Sequence, residues 1–181
     1  MKYLLLFGLL FFSPQFSQVS AAQGIVAGVN EDLPRFSELS PGLFRGGRPS
    51  EAGLRKLAAL GITTIINLEN DERVVEAESR IAAELGMQVL KFPMEWISTP
   101  NDSDVNQILE LMRTRGATKI YVHCQHGKDR TGVIVALHRV LTEGLDANAA
   151  YDEMLSFGFS RFLFKLENYY WKRAKRQAYS L

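Results

Sequence analysis

The stretch that decides the fold of this chain is residues 119–138, which read KIYVHCQHGKDRTGVIVALH. Residues 120–122 form a β-branched and aromatic run that is typical of a buried strand. From Thr131 onward, apolar residues recur at helical spacing and predict a helix. Between the two lies a loop that begins with the chain's only cysteine, Cys124, and ends with Arg130. The stretch therefore predicts a strand–loop–helix unit with one thiol in its loop.

A loop that turns from a strand into a helix is suited to binding an oxyanion. Its backbone N–H groups point into the concave side, and the helix N-terminus adds partial positive charge. Arg130 can bind two oxygens of the same anion through its planar guanidinium. Helix N-termini and cationic neighbours also favour the thiolate form of a cysteine, which is a nucleophile. We therefore expect a phosphate-sized anion above Cys124, with the sulfur aimed at its phosphorus.

The motif His123-Cys124-x5-Arg130-Thr131-Gly132 resembles the signature of the cysteine-dependent protein tyrosine phosphatase superfamily, in its compact dual-specificity branch. The resemblance implies that Cys124 is the nucleophile, that Arg130 binds the phosphate, and that Thr131 assists departure of the sulfur from a covalent intermediate. His123 is expected to order the loop or to help hold the thiolate. The implied enzyme is a phosphoric monoester hydrolase that forms a cysteinyl-phosphate intermediate and needs no metal or other cofactor.

The order of the remaining predicted elements indicates an α/β fold. Strands predicted at 62–68 and 88–92 alternate with helices predicted from Ser50 to Leu60 and over about 73–85. This order implies a central, mostly parallel sheet flanked by helices, with the reactive loop at the carboxyl end of a strand. We expect one phosphatase domain over residues 42–181. In the second helix, three charged residues are expected to face solvent, namely Glu76, Glu78 and Arg80.

The first 22 residues have the pattern of a cleaved export signal. Lys2 is followed by an apolar run over residues 3–12 and by small residues over 19–22. The apolar run is about half of the ~20 residues that a membrane span needs, so no membrane anchor is expected. Residues 23–41 show no sustained period and predict an irregular arm. We therefore expect a periplasmic or secreted protein; an ordinary N-terminal core helix is the alternative for residues 1–22.

The overall charge and the cysteine count limit the possible partners. The sequence has 21 basic and 20 acidic residues, and loss of Lys2 with the signal makes the mature net charge zero. A neutral domain is not suited to general adsorption to nucleic acid or membranes. With one cysteine no intramolecular disulfide can form, so stability must come from packing. We expect a monomer.

The general acid is expected in the loop over residues 94–104. Members of this branch carry there an aspartate that protonates the leaving oxygen. In this chain Trp96 stands where that aspartate usually lies, with Glu95 beside it. Asp102 lies further on, where a carboxylate at a helix start is also stabilised by the helix dipole. Glu95 and Asp102 are both candidates, and Glu95 is preferred.

Side chains at the rim of the loop are expected to decide specificity. Lys128 stands where phosphoinositide and inositol-polyphosphate phosphatases of this superfamily also carry lysine. The other candidate substrate-binding residues are Gln125, His126, Gly127, Asp129, Arg45 and Arg48. For Arg48, a solvated charge in a turn is the alternative. A basic rim on a neutral domain suits a substrate with several phosphates. Since the exported cysteine phytases are similar in loop and localisation, we expect an inositol polyphosphate, with phosphotyrosine or dual-specificity phosphoprotein hydrolysis as the alternative.

Two other classes of function remain open. Without a general acid, the domain would be a phosphate-binding pseudophosphatase, although binding alone does not require Cys124. A cysteine-based sulfur transferase or arsenate reductase is a further alternative, and the lack of a second cysteine weighs against the reductase.

Overall fold

The computed structural model describes residues 31–178, with side chains over residues 31–175. The predicted export signal at 1–22 and residues 23–30 of the arm lie outside these residues. The elements follow in the order β1 (Ser37–Ser40), β2 (Leu43–Gly46), α1 (Glu51–Ala59), β3 (Thr64–Asn67), α2 (Glu72–Glu84), β4 (Gln88–Lys91), α3 (Asp102–Arg113), β5 (Ile120–His123), α4 (Arg130–Leu141), α5 (Ala147–Ser156) and α6 (Phe164–Ala178).

Within residues 31–178 the strands form a five-stranded sheet in the order β1-β2-β5-β3-β4. β2, β5, β3 and β4 pair in parallel, and β1 pairs antiparallel with β2 at one edge. The predicted central, mostly parallel sheet flanked by helices is therefore confirmed. Because β5 lies between β2 and β3, the loop that follows His123 emerges beside the carboxyl ends of both neighbouring strands.

The two faces of the sheet carry separate hydrophobic clusters. Along β5, Tyr121 packs on the face covered by α1 and α2, while Ile120 and Val122 pack on the face covered by α3 to α6. This alternation is the period of two that a strand imposes on its side chains. α4 is buried along nearly its whole length, so the loop before it is anchored in the core. None of the helices in the described part of the chain is both long and apolar enough to cross a membrane.

Helix starts follow the local sequence. Ser50 caps α1 by accepting a hydrogen bond from the Gly53 N–H at 3.1 Å, and Asn101 caps α3 by accepting one from the Ser103 N–H at 2.8 Å. Both residues have the short polar side chain that satisfies unpaired N–H groups at helix starts.

Two expectations about local structure are wrong. Residues 37–40, within the predicted irregular arm, form β1, which is too short for a period to be visible in the sequence. Glu78 on α2 is buried, with 6% of its surface exposed, whereas Glu76 and Arg80 face solvent as expected. Glu78 is buried because polar partners on β3 and β5 face it across the sheet.

The reactive loop packs directly against the turn after β2 at Gly127. Gly127 has φ +72°, and a Cβ there would lie 2.4 Å from the backbone carbon of Gly46 and from the backbone nitrogen of Gly47. A side chain is therefore opposed both by the left-handed backbone conformation and by its overlap with the backbone of Gly46 and Gly47.

Gly127→Ala should therefore destabilise the fold by more than the roughly 1–2 kcal/mol associated with a left-handed non-glycine residue. Gly86→Ala is the matched control, because Gly86 has φ +77° but nothing lies within 4 Å of its Cβ position. Urea unfolding of both variants measures the difference. Equal losses of stability would show that the close contact at Gly127 is unimportant.

Candidate active site

The loop between β5 and α4 leaves a row of backbone N–H groups without protein partners. Cys124 starts this loop and is 2% exposed. The N–H groups of residues 125–130 donate to no acceptor anywhere in the described range, 31–178. Since α4 begins at Arg130, these groups lie at the N-terminus of a helix, where partial positive charge accumulates. The arrangement is suited to an anion.

The carbonyl oxygens of this loop, in contrast, accept hydrogen bonds from residues outside the loop. Three successive carbonyl oxygens, those of residues 125, 126 and 127, each accept a hydrogen bond. Their donors are, in order, the backbone N–H of Arg48 at 3.1 Å, Nη1 of Arg35 at 3.0 Å and Nη2 of Arg45 at 2.9 Å. In a trans peptide the C=O and the N–H point in opposite directions. The N–H groups of residues 126–128 therefore point away from these donors.

Arg45 supports the loop from inside the protein. Its side chain is fully buried, and its guanidinium carbon lies 3.8 Å from the centroid of the Phe157 ring. Burial lowers the pKa of Arg45 to about 10, so the guanidinium is still charged at neutral pH. Because its side chain is fully buried, Arg45 is not an exposed rim cation, and its role in substrate binding stays a prediction.

The Arg48 side chain forms an ion pair with the buried carboxylate of Glu69. Its Nε donates to Oε1 of Glu69 at 2.7 Å, and its Nη2 contacts the other carboxylate oxygen. This hydrogen bond raises the pKa of Arg48, since the cationic form is the one that Glu69 stabilises. The Arg48 charge is therefore balanced by Glu69, and a role of Arg48 in substrate binding stays a prediction.

Arg130 is oriented by one nitrogen only. Its Nη1 donates to the carbonyl oxygens of Leu68 at 3.2 Å and Met94 at 3.0 Å, and to Oδ1 of Asn70 at 3.2 Å. No other nitrogen of this buried side chain donates to a residue within 31–178, which leaves Nε and Nη2 for two oxygens of an anion. The fork geometry expected for a phosphate clamp is thus available.

The structure separates the two candidate acids. Oε1 of Glu95 accepts a hydrogen bond from Nδ2 of Asn70 at 2.9 Å, and the same Asn70 binds Arg130. Asp102 instead accepts from the Tyr169 hydroxyl and from Nη1 of Arg173, both at 2.7 Å, on α6. Glu95 is therefore linked through Asn70 to Arg130, whereas Asp102 is bound to the last helix, α6. Asn70 was not predicted, because nothing local marks an asparagine that joins two distant segments.

Thr131 and His123 lie on either side of the loop in sequence, and both are fully buried. Oγ1 of Thr131 has no hydrogen-bond partner among the residues described, so its hydroxyl is available to a nearby group. Nδ1 of His123 lies 3.4 Å from the carbonyl oxygen of Cys124, so this ring contacts the residue that carries the nucleophile.

The rim contains fewer free cations than the sequence predicts. Gln125 and His126 are exposed, and Lys128 is half-buried without an ion pair inside the described range. Oδ1 of Asp129 accepts from the Ser160 N–H at 2.9 Å and so holds the segment between α5 and α6.

Arg35 is an exposed cation at the loop that the sequence does not reveal. Its φ is +52°, the one positive value for a non-glycine residue in the described chain. Its Nη1 donates to His126. Such a conformation is rare outside glycine, and no local sequence pattern predicts it.

Beside Glu95, Trp96 and Ile97 are 53% and 55% exposed, so an apolar surface lies next to the candidate acid. No group of histidine, cysteine, aspartate or glutamate side chains among residues 31–178 could hold a metal ion.

Comparisons with known proteins agree with this geometry. The family model described as "DSP-PTPase phosphatase fused to NAD+ Kinase" matches residues 14–169. The dual specificity protein phosphatase TpbA of Pseudomonas aeruginosa is 28% identical over 123 residues, which cover 67% of this chain and 53% of TpbA. Inositol diphosphatase DSP4 of Arabidopsis thaliana is 26% identical over 130 residues, covering 70% of this chain and 65% of that protein. The chain thus spans about half the length of TpbA.

A solved structure gives the same fold. The crystal structure of P. aeruginosa TpbA superposes with a TM-score of 0.66 at 24% identity, covering 79% of this chain and 86% of that one. TpbA has also been crystallised in complex with pTyr. The family match extends over most of the sequence, and the fold is that of dual-specificity phosphatases, which are phosphoric monoester hydrolases. The chain therefore belongs to the DSP-PTPase family within the cysteine-based protein tyrosine phosphatase superfamily.

Proposed function

We propose that this protein hydrolyses phosphomonoesters through a cysteinyl-phosphate intermediate. The observation that carries the proposal is the combination of free donors around Cys124. The N–H groups of residues 125–130 and two nitrogens of Arg130 have no protein acceptor within the described residues. Together they can bind the oxygens of one phosphoryl group and stabilise the charge that develops on it during transfer.

The proposed reaction has two steps. In the first, the Cys124 thiolate attacks phosphorus, an S–P bond forms, the P–O bond to the alcohol breaks, and Glu95 gives its proton to the leaving oxygen. In the second, water attacks phosphorus, Glu95 takes a proton from it, and the S–P bond breaks. The Thr131 hydroxyl, which is buried without a protein partner among residues 31–178, would donate to the departing sulfur.

For the substrate we propose an inositol polyphosphate. Arg35 and Lys128 are cations at the loop without a carboxylate partner in the described chain, so both can contact phosphates other than the one under attack. This support is narrower than the sequence suggested, because Arg45 is buried and Arg48 is paired with Glu69. The similarity to inositol diphosphatase DSP4 is consistent with the proposal.

Phosphotyrosine is the second candidate substrate. Trp96 and Ile97 are exposed next to Glu95 and could pack against an aryl ring whose phosphate enters the loop. The similarity to TpbA, a dual specificity protein phosphatase, is consistent with this alternative.

We also propose that the protein acts outside the cytoplasm. The support is the sequence of residues 1–22, with one basic residue, an apolar run and small residues in the order of an export signal.

Cys124→Ser should fold normally and lose measurable turnover, because a serine hydroxyl is hardly ionised near neutral pH. Release of inorganic phosphate measures turnover, and circular dichroism checks the fold. A metal chelator, the control on the wild type, should leave turnover unchanged. Turnover in the serine variant would exclude the cysteine mechanism, and a wild type that binds phosphate without turnover would support the pseudophosphatase alternative.

Glu95→Gln should lower turnover of an alkyl phosphate by about 10²–10⁴-fold and affect an activated aryl phosphate much less. The reason is that an alkoxide leaving group needs a proton, whereas an activated phenoxide does not. Asp102→Asn is the matched variant and should change the two substrates equally little. If only Asp102→Asn separates the two leaving groups, the acid is Asp102; if neither does, the proton comes from another source.

Lys128→Ala should raise the KM for inositol hexakisphosphate several-fold, because loss of a charge-assisted hydrogen bond weakens binding by up to about 1.5–3 kcal/mol. Arg35→Gly should act in the same direction and keeps the positive φ accessible. A singly phosphorylated aryl substrate should respond little to either change. Lys172→Ala, exposed on α6, is the control. Unchanged kinetics on the polyphosphate, with a wild-type preference for a phosphotyrosine peptide, would favour the second substrate.

A further inference from the structure

A buried glutamate lies behind the reactive loop. Glu78 belongs to α2, whose neighbouring charged residues Glu76 and Arg80 face solvent, yet only 6% of its own surface is exposed. Burial of a carboxylate is unfavourable unless its oxygens are paired with donors. A leucine or methionine would pack there without this penalty, so the partners of Glu78 indicate what it does.

The partners come from two strands of the sheet. Oε1 of Glu78 accepts a hydrogen bond from Nδ2 of Asn67 at 2.9 Å and lies 3.1 Å from Nε2 of His123. The orientation of the Asn67 amide is fixed, because its Oδ1 accepts from the Glu69 N–H at 2.7 Å. Oε2 of Glu78 is buried without a partner in the described residues. One carboxylate oxygen thus makes all of these contacts.

Both ring nitrogens of His123 face acceptors. Nε2 faces the Glu78 carboxylate, and Nδ1 lies 3.4 Å from the carbonyl oxygen of Cys124. A neutral imidazole carries one N–H and can satisfy only one acceptor, whereas the imidazolium carries two. A carbonyl oxygen never donates, and Oε1 of Glu78 already accepts from Asn67. Nδ1 therefore carries the proton that faces the carbonyl oxygen of Cys124. A neutral Glu78 could supply the proton between Oε1 and Nε2, but an ionised Oε1 is the stronger acceptor for both Asn67 and Nε2, which favours a charged His123 paired with an ionised Glu78.

We propose that Glu78 is a positioning residue that holds His123 as an imidazolium against the residue that carries the nucleophile. Because Glu78 binds the far ring nitrogen, the positive end of the pair faces Cys124 and favours its thiolate. The pair is neutral overall and can therefore persist in the core. This inference rests on the proposed function only in that a thiolate is useful to a phosphatase; the pair itself is a separate claim.

Other charged and titratable groups also surround this pair. Arg45 on β2 interacts electrostatically with Cys124 and with Tyr121. The Tyr121 ring stacks on the His123 ring at 5.4 Å, and burial raises the pKa of its phenol, which therefore stays neutral. Arg48 is close enough to Glu78 to interact with it. These groups are present whether or not Glu78 is ionised, so a variant that changes only the Glu78 charge isolates its effect.

The alternative is that Glu78 only attaches α2 to the sheet. Glu78→Gln distinguishes the two roles, because it keeps the shape and an oxygen that accepts from Asn67 but removes the charge. Purely structural attachment would change stability and leave the reactivity of the thiol as it is.

The first test is alkylation of the folded protein with iodoacetamide across a pH series. Since the chain has 1 cysteine, all of the label reports on Cys124. In Glu78→Gln, His123 loses the partner that keeps it charged, so the positive charge beside Cys124 is lost and the midpoint of the pH profile should rise. Alkylation at pH 6 should slow by about tenfold, since a nearby opposite charge typically shifts the ionisation of a group by one pH unit or more. Glu76→Gln, exposed on the same helix, should leave the profile unchanged. An unchanged profile in a folded Glu78→Gln variant overturns the proposal.

The second test does not require the variant to fold. Nitrogen-15 spectra of the wild type resolve the protonation of its 3 histidines, and single substitutions of His126 and His138 assign the remaining signals to His123. The proposal expects both ring nitrogens of His123 to be protonated at neutral pH, and a neutral His123 overturns it. Neither test uses phosphatase activity, so a protein that hydrolyses no phosphomonoester would refute the proposed function and leave the Glu78–His123 pair to be decided on its own evidence.

Discussion

The site depends on the hydrogen bonds that hold the outer side of the reactive loop. Donors on Arg35, Arg45 and Arg48 bind the carbonyls of residues 125–127, and this fixes the peptide planes whose N–H groups face the opposite direction. An oxyanion site built from backbone amides requires that the carbonyls be satisfied elsewhere, because otherwise they would compete for the same space. Glycine at position 127 lets the loop approach β2 closely enough for these bonds to form.

Much of the positive charge near the loop is therefore structural. Arg45 is buried under it and stacked on Phe157, and Arg48 is neutralised by Glu69. Asn67, at the end of β3, contacts both buried acids through its side chain. Its Oδ1 accepts a hydrogen bond from the backbone N–H of Glu69, and its Nδ2 donates to Glu78. The two buried acids thus share one asparagine, and each pairs with a different cationic or protonatable residue near the loop.

The sequence predicts well what local patterns control. The strand–loop–helix unit, the alternation of strands and helices that implies a parallel sheet, and the helix that starts after Ser50 all follow from residues close together in the chain. What it does not predict is the burial of charge. Arg45 and Glu78 belong to residue types that are usually exposed, and their burial depends on partners that lie 82 and 45 residues away.

The same limit applies to the contacts that link Arg130 to Glu95, the candidate general acid. Asn70 reaches Arg130 across 60 residues and Glu95 across 25, so no local spacing points to it. Proximity in such cases is decided by the order of strands in the sheet, which brings the ends of β3, β4 and β5 to one edge.

This link has a mechanical consequence. Arg130 donates to the carbonyl of Met94 and, through Asn70, is connected to Glu95 in the same segment after β4. Displacement of that segment would remove contacts that orient the guanidinium, and the guanidinium would then bind an anion less tightly. The position of the Arg130 guanidinium thus depends on residues outside the signature loop as well as on the loop itself.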